Sequence, residues 1–184
     1  MSLNISKYLF YFKTTVFAKY AYQNARVQQL QNGLLFPNDY SSHNLIANAV
    51  VKPTGFLTIN YESSFMWTSS RVKGTLNDIY NYYKNYYTQQ QIEVNLFVAN
   101  KFSFKSRTEI YLYDQPDKKR ASFFFSYVSI RYTLKKILTD IELVCSNLFN
   151  TNHYEIISAE GNSIYGTNYL IRPRAIMLRI SFRF

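Results

Sequence analysis

The end of the chain alternates apolar and polar side chains almost residue by residue. The apolar members of this pattern are Ile176, Leu178, Ile180, Phe182 and Phe184. A period of two places them on one face of a β-strand, while residues between them, such as Arg179, lie on the other face. The pattern predicts a final strand whose apolar side runs up to an aromatic residue.

The same alternation recurs along most of the chain. Leu57 and Ile59, for example, alternate with Thr58 and Asn60. The pattern predicts eight strands, over 6–22, 43–52, 55–69, 89–100, 103–114, 120–133, 136–148 and 171–184. Most of them reach the length of about 9–11 residues that a tilted strand needs to cross a membrane, whereas strands of soluble proteins have about five or six residues.

The connections between these strands fall into two groups by length. Long connections are expected over 23–42, 70–88 and 149–169, and short turns lie between them. Outer-membrane β-barrels sort their loops in this way, with short periplasmic turns and longer extracellular loops. The sequence therefore predicts an all-β fold, an antiparallel up-and-down transmembrane β-barrel of about eight strands over 1–184. It would be either the last part of a larger barrel or a small closed barrel.

Composition agrees with a barrel and excludes a membrane helix. Aromatic residues make up 18% of the chain, with 18 Tyr and 15 Phe, and the mean hydropathy is −0.23. No apolar run of about 18 residues occurs, so the sequence predicts no transmembrane helix. The net charge of +10 fits a polar barrel interior and solvated loops; the alternative is attraction to nucleic acid or to anionic lipid headgroups.

Two segments carry a resemblance to a known family. The first is Asn147-Leu148-Phe149-Asn150 with Tyr154 after it, and the second begins at Arg172-Pro173-Arg174 and continues to Phe184. In this order they resemble the penultimate and last strands of TonB-dependent outer-membrane receptors, over 142–184. The resemblance implies a place in the cell outer membrane and a role in nutrient uptake.

The resemblance also implies partners. These are the lipid bilayer with its lipopolysaccharide, the barrel-assembly machinery, an unidentified nutrient, and the rest of a receptor barrel with its plug. The assembly machinery would read the final strand, with Ile176, Leu178, Ile180, Phe182 and Phe184 as its signal. Such receptors have about 22 strands and a plug, whereas this sequence predicts eight strands, no plug and no signal peptide at Met1. The expectation is a receptor-barrel segment; a stand-alone structural or adhesive small barrel is the alternative.

A tyrosine cluster is the most unusual local feature of the chain. It consists of Tyr80, Tyr82, Tyr83, Tyr86 and Tyr87. These rings could form an aromatic girdle at headgroup level or a short helix packed on a loop. They could also form an extracellular platform on which sugars or other flat ligands stack. The basic run Lys118-Lys119-Arg120 has two similar interpretations, a solvated loop tip or a site for lipopolysaccharide phosphate.

No enzymatic chemistry is predicted. His43 and His153 have no third metal ligand at a recognisable spacing, and no nucleotide-binding or hydrolase motif occurs. Cys145 is expected to act as a small apolar side chain. A soluble basic β-protein that binds single-stranded nucleic acid is a further alternative. It is disfavoured because the aromatic residues are spread over all strands and no RNA-binding signature appears. We therefore expect no cofactor, no metal and no nucleic-acid partner.

Overall fold

The computed structural model describes residues 1–31, 34–73, 80–99, 101–114, 120–160 and 163–182. At a few of these positions it describes the backbone only, namely 29, 31, 34, 72–73, 80–83, 158–160 and 163–165. Almost all of these residues lie in strands. The strands are β1 (Ser2–Leu9), β2 (Thr14–Gln31), β3 (Leu34–Thr54), β4 (Leu57–Lys73), β5 (Tyr80–Val98), β6 (Phe102–Tyr113), β7 (Ala121–Leu134), β8 (Thr139–Ser146), β9 (His153–Glu160), β10 (Ser163–Leu170) and β11 (Ala175–Phe182). A single 3-10 turn, Lys135–Ile137, joins β7 to β8.

Nine of these strands form one antiparallel sheet. Its order is β1-β2-β3-β4-β5-β6-β7-β8-β11, so each strand pairs with its predecessor in the chain until β11 pairs with β8. The hairpin of β9 and β10 is a separate pair inserted between β8 and β11. The predicted all-β, antiparallel up-and-down fold is thereby confirmed.

The sheet is open within the described part of the chain. β1 and β11 are its two edges, and neither pairs with the other. Each edge strand therefore leaves one row of backbone N–H and C=O groups without a strand partner, which is the arrangement that invites pairing with another strand. The described strands do not form the small closed barrel that was one of the two predicted alternatives.

The strands are more numerous than the sequence predicted, and β3, β4 and β5 are longer than expected, whereas β8 is shorter. The expected strand 6–22 covers the end of β1, a turn over 10–13 and the start of β2. Much of the expected loops 23–42 and 70–88 is strand, because β2 and β3 pair from Thr14↔Val51 to Gln31↔Leu34. The expected loop 149–169 contains β9 and most of β10. The long connections are thus hairpins that continue the ladder.

The turns are still sorted by end. At one end lie the tight turns over 10–13, 55–56 and 135–138, and we call it the short-turn end. At the other, the long-strand end, β2 pairs with β3 and β4 with β5 out to 31 and 73. β11 ends at Phe182 on the short-turn end, as the loop lengths predicted.

Burial is inverted relative to a water-soluble domain. Among the described residues only Tyr113 and Val144 are buried apolar side chains, whereas ten buried side chains are polar or charged. Soluble domains bury their large apolar residues in a core between two packed layers. Within the described part of the chain, this sheet is a single layer with no second layer on its apolar side. None of the described helical residues forms a span with the length and apolar character to cross a membrane.

Candidate functional surfaces

The strand registers assign every side chain of the sheet to one of two faces. Cross-strand partners lie on the same face, and the pairings Leu178↔Leu143, Leu143↔Ile130, Ile130↔Phe104, Phe104↔Leu96 and Leu96↔Leu57 join one apolar row across six strands. We call this side of the sheet the apolar face. The apolar residues of β4 from Leu57 to Trp67 span about 34 Å at about 3.4 Å per residue. At a strand tilt of about 45° this corresponds to about 24 Å along a membrane normal, close to the height of an outer-membrane apolar band, about 25 Å.

An aromatic row bounds the apolar face toward the long-strand end. It consists of Tyr22, His43, Trp67 and Tyr86, which are cross-strand partners on β2, β3, β4 and β5. The rings of His43 and Trp67 stack at 4.9 Å between centroids with an angle of 10°, and Tyr22 lies 4.7 Å from His43. The Tyr20 hydroxyl and His43 Nδ1 form a 2.7 Å hydrogen bond. Amphipathic rings of this kind favour the boundary between an apolar and an aqueous phase.

Beyond the aromatic row the same face becomes polar and charged. The next cross-strand row contains Ser69 and Lys84, and the row after it contains Arg26, Asp39 and Arg71. Arg26 forms a two-pronged ion pair with Asp39, at 2.6 Å from Nε and 3.3 Å from Nη2. The Arg26 guanidinium lowers the pKa of the Asp39 carboxyl through this hydrogen bond. The apolar band thus ends sharply at the aromatic row.

Further exposed aromatic side chains lie at the short-turn end of the sheet. Phe10 and Tyr11, in the first turn, are 86% and 89% exposed, and Phe56 and Phe182 are also exposed. The polar residues inside the band are mostly small, such as Ser63, whereas Lys7 on β1 is a charged exception. Long lysine side chains can extend their ammonium group toward an interface.

The predicted assembly-signal residues lie together on the apolar face of the edge strand β11. Ile176, Leu178, Ile180 and Phe182 are all exposed, and their partners on β8 include Cys145, Leu143 and Ile141. Phe184 lies outside the described residues. Cys145 is a free thiol beside these apolar side chains, in agreement with the apolar role predicted for it.

The opposite, polar face forms a cleft of about 760 Å³ lined by side chains of β5, β6, β7, β8 and β11. Its charges alternate across the strands. Arg107 lies 2.6 Å from Glu109, and Lys105 lies 3.5 Å from Glu93. Beside the cleft, Asn95 Nδ2 donates to Glu93 Oε1 at 2.9 Å.

Glu142 is the most buried charged group of this cleft. Its side chain is 6% exposed, and it accepts from Arg131 Nη2 at 3.4 Å and from Arg179 Nη1 at 3.1 Å. The three residues are cross-strand partners on β7, β8 and β11, so this cluster joins the last strands of the sheet from the polar side. A carboxylate that is removed from water is stabilised only by such paired donors.

The segments Asn147–Asn150 and Arg172–Arg174 contact each other directly. Asn147 Nδ2 donates to the Arg172 carbonyl at 2.8 Å and to the Thr151 carbonyl at 3.0 Å. Asn150 Oδ1 accepts from the Arg174 backbone N–H at 3.2 Å. Both asparagines have left-handed backbone angles, φ 53° and φ 52°, which asparagine tolerates better than most residues. We call this arrangement the asparagine clasp. Among the described contacts, Leu148, Phe149 and Pro173 form no hydrogen bond between the two segments. The Leu148 N–H donates instead to the Ser126 hydroxyl on β7.

The clasp holds the base of the β9–β10 hairpin, which folds over the polar face. Tyr154 at its start lies 5.1 to 6.2 Å, between ring centroids, from Phe123, Tyr111, Phe125 and Tyr113 of the sheet. Tyr169 stacks on Tyr154 from the partner strand at 5.9 Å. Burial raises the pKa of the Tyr154 phenol. The Tyr113 hydroxyl is buried without a hydrogen-bond partner among the described residues.

The structure separates the tyrosine cluster instead of gathering it in a loop. All five residues belong to β5. Tyr86 points to the apolar face, within the aromatic row. Tyr87 lies on the polar face, where its hydroxyl donates to Gln89 Oε1 at 3.2 Å and its ring centroid lies 6.4 Å from that of Tyr113. The side chains of Tyr80, Tyr82 and Tyr83 lie outside those described. The placement of Tyr86 agrees with the girdle interpretation, and the predicted loop was wrong.

The basic run and the two histidines, which were the remaining candidate residues, show no sign of a binding site among the described residues. Arg120 donates to Asp114 at 2.8 Å, and Lys118 and Lys119 lie outside the described residues. His43 belongs to the aromatic row, and His153 lies against Phe123 at 6.2 Å. Within the described part of the chain, no three His, Cys, Asp or Glu side chains are grouped as metal ligands would be.

Comparison with known proteins gives no further assignment. No family model matches the chain, and neither the curated proteins nor the solved structures contain a match.

Sequence reasoning missed the aromatic group around Tyr154. Its signal is present in the sequence: Tyr111 and Tyr113 on β6, and Phe123 and Phe125 on β7, are pairs two residues apart and therefore share a face. What the sequence could not supply is the hairpin that covers them.

Proposed function

We propose that the chain forms a wall segment of an outer-membrane β-barrel, in a receptor of the TonB-dependent type that takes up a nutrient. The single observation that supports the membrane most strongly is the apolar face. It exposes Ile92, Leu143, Leu178 and many similar side chains to the surroundings, while the buried side chains are largely polar. In water this distribution would be unfavourable over a large area, whereas in a bilayer the hydrocarbon covers the apolar face.

The boundaries of the apolar face support the same proposal. The aromatic row at one end and the exposed aromatic turns at the other correspond to the two girdles of an outer-membrane barrel. The short-turn end is then periplasmic and the long-strand end extracellular. The hairpins β2–β3 and β4–β5 project beyond the aromatic row into the medium.

The open edges support a segment of a larger wall. β1 and β11 are unpaired on their outer sides within the described residues, and a membrane tolerates no open sheet edge in its hydrocarbon region. We propose that further receptor strands pair with both edges and close the barrel. The polar face, with its charged cleft and the β9–β10 hairpin, then lines the lumen, and the ligand enters from the long-strand end.

The test uses Trp67, which is the only tryptophan of the chain. The full chain is reconstituted in phosphatidylcholine vesicles that carry bromine either near the headgroup or deep in the acyl chains. Bromine quenches tryptophan fluorescence at contact. The proposal predicts quenching by both lipids, stronger with the shallow bromine because Trp67 belongs to the aromatic row.

The contrary result is equally clear. If the chain were recovered as a water-soluble monomer without detergent, and Trp67 were unaffected by either brominated lipid, the membrane proposal would be wrong. Salt-dependent binding of an oligonucleotide by that soluble protein would then favour the nucleic-acid alternative.

A further inference from the structure

We propose that the outer wall of β2–β5 carries a binding site for a phosphorylated lipid of the outer leaflet. The site lies on the apolar face just beyond the aromatic row and consists of the cations Arg26, Arg71 and Lys84, with Asp39 between the two arginines. This inference rests on the proposed membrane location of the chain. It adds a specific lipid-binding site to a surface that would otherwise contact bilayer lipids without preference.

The first argument is charge. Three cations and one carboxylate occupy two neighbouring rows of this face, so the group has a net positive charge. Arg26 and Asp39 hold each other in a fixed geometry, with side-chain exposures of 75% and 39%. Asp39 also faces Arg71 across the strand pair, and Arg71 and Lys84 are both exposed. A phosphate group could therefore approach the cations from the side away from the sheet.

The second argument is depth. Arg71 follows Trp67 by four residues on β4, and Lys84 precedes Tyr86 by two residues on β5. At about 3.4 Å per residue and a tilt of about 45°, the cations begin about 5 to 10 Å outside the aromatic row. Lipid phosphates lie at about this distance beyond the edge of the hydrocarbon region. The flexible side chains of the cations can extend over any small difference in depth.

The third argument is continuity with a surface for acyl chains. Directly below the cations, β4 places Trp67, Phe65 and Tyr61 on the apolar face, where each is partly exposed. A ligand that has both a phosphate and several acyl chains contacts the cations and the apolar side chains below them, whereas a soluble phosphate contacts only the cations. The chemistry therefore fits a phosphorylated glycolipid of the lipid A type, and phosphatidic acid supplies the same phosphate monoester as a probe.

The experiment compares two brominated lipids as quenchers of Trp67 in the reconstituted full chain. Brominated phosphatidic acid and brominated phosphatidylcholine are each mixed at the same mole fraction into unbrominated phosphatidylcholine. The proposal predicts that phosphatidic acid occupies the lipid positions near Trp67 at least about fivefold more strongly, since each basic residue near an anionic headgroup contributes severalfold. Raising the salt concentration lowers this preference.

Variants locate the effect. Arg71→Gln with Lys84→Gln should remove most of the preference, and Lys84→Gln alone should reduce it, which keeps the test usable if the double variant assembles poorly. The matched control is Lys19→Gln on β2, because Lys19 is exposed on the polar face; it should leave the preference unchanged.

The outcomes separate the two proposals. Equal quenching by both lipids in the unaltered chain would overturn the lipid site while leaving the membrane proposal intact. A preference that survives the double variant or disappears with Lys19→Gln would also overturn it. Absence of quenching by any brominated lipid would reject the membrane proposal and the lipid site together.

Discussion

Asn147 Nδ2 donates a 2.8 Å hydrogen bond to the carbonyl oxygen of Arg172, 25 residues further along the chain. This bond joins the end of β8 to the segment that leads into β11. Between the two residues the chain leaves the sheet, forms the β9–β10 hairpin and returns. The asparagine clasp therefore fixes where the hairpin begins and ends, and it gives a physical reason for asparagine at this turn: a left-handed backbone together with an amide that both donates and accepts.

The variant Asn147→Asp tests the clasp. The carboxylate keeps the acceptor for the Thr151 N–H and tolerates the backbone angle, but it loses both Nδ2 donors. Two carbonyl oxygens would then lose their partner, so we expect the free energy of unfolding to fall by about 1–3 kcal/mol. Urea unfolding in vesicles measures it. Asn168→Asp, at an exposed position of β10, is the control and should stay within about 0.5 kcal/mol.

Tyr154→Ala tests whether the aromatic contacts hold the hairpin on the polar face. The variant removes the ring that contacts β6 and β7, and we expect a loss of about 2–3 kcal/mol in the docking of the hairpin. Hydrogen exchange of the β9 and β10 amides measures local opening. Tyr113→Phe is the control, because its hydroxyl has no described partner and its removal should be neutral or slightly stabilising. Unchanged exchange in Tyr154→Ala would contradict this role.

Alkaline pH should release the same hairpin. Burial raises the pKa of Tyr154 above its usual value of 10.0, so the docked hairpin favours the neutral phenol. Its contribution to docking is therefore complete below about pH 10 and is lost as the pH rises through the higher pKa of the docked state. Cleavage within 153–170 by a protease active at alkaline pH should increase only above that value. Tyr154→Phe cannot ionise, and it should move the onset to higher pH.

The two faces of the sheet could be predicted from the sequence, because a strand places every second residue on the same side. Lys105, Arg107 and Glu109 occupy alternate positions of β6, and the registers place them with Arg131 on the polar face. The same rule placed Ile176, Leu178, Ile180 and Phe182 on the apolar face. Period-two patterning depends only on local geometry and on a difference between the two environments.

The ends of the long strands could not be predicted, because there the two faces of the sheet have similar environments. Beyond the aromatic row both faces of β2 are mostly polar, as in Gln23, Asn24 and Arg26, so alternation disappears while the backbone ladder continues. The turn over 10–13 was missed for another reason. It contains Phe10, Tyr11 and Phe12, and Lys13 has φ 45°, so no glycine, proline or asparagine marks it in the sequence.

The most discriminating prediction compares two neighbouring residues of β11. Leu178 is 65% exposed on the apolar face, and Met177 is 48% exposed on the polar face. In a bilayer, Leu178→Lys should reduce the free energy of unfolding by about 2–4 kcal/mol, because a charge near the middle of the hydrocarbon is costly on the lipid face. Met177→Lys should change it by less than about 1 kcal/mol, since the lumenal side is wet. In a water-soluble sheet both lysines would replace exposed residues and both changes would stay within about 0.5 kcal/mol. Urea unfolding of the two variants in vesicles measures the difference. Equal effects would refute the lipid-facing assignment of this strand, and a difference of the opposite sign would exchange the two faces.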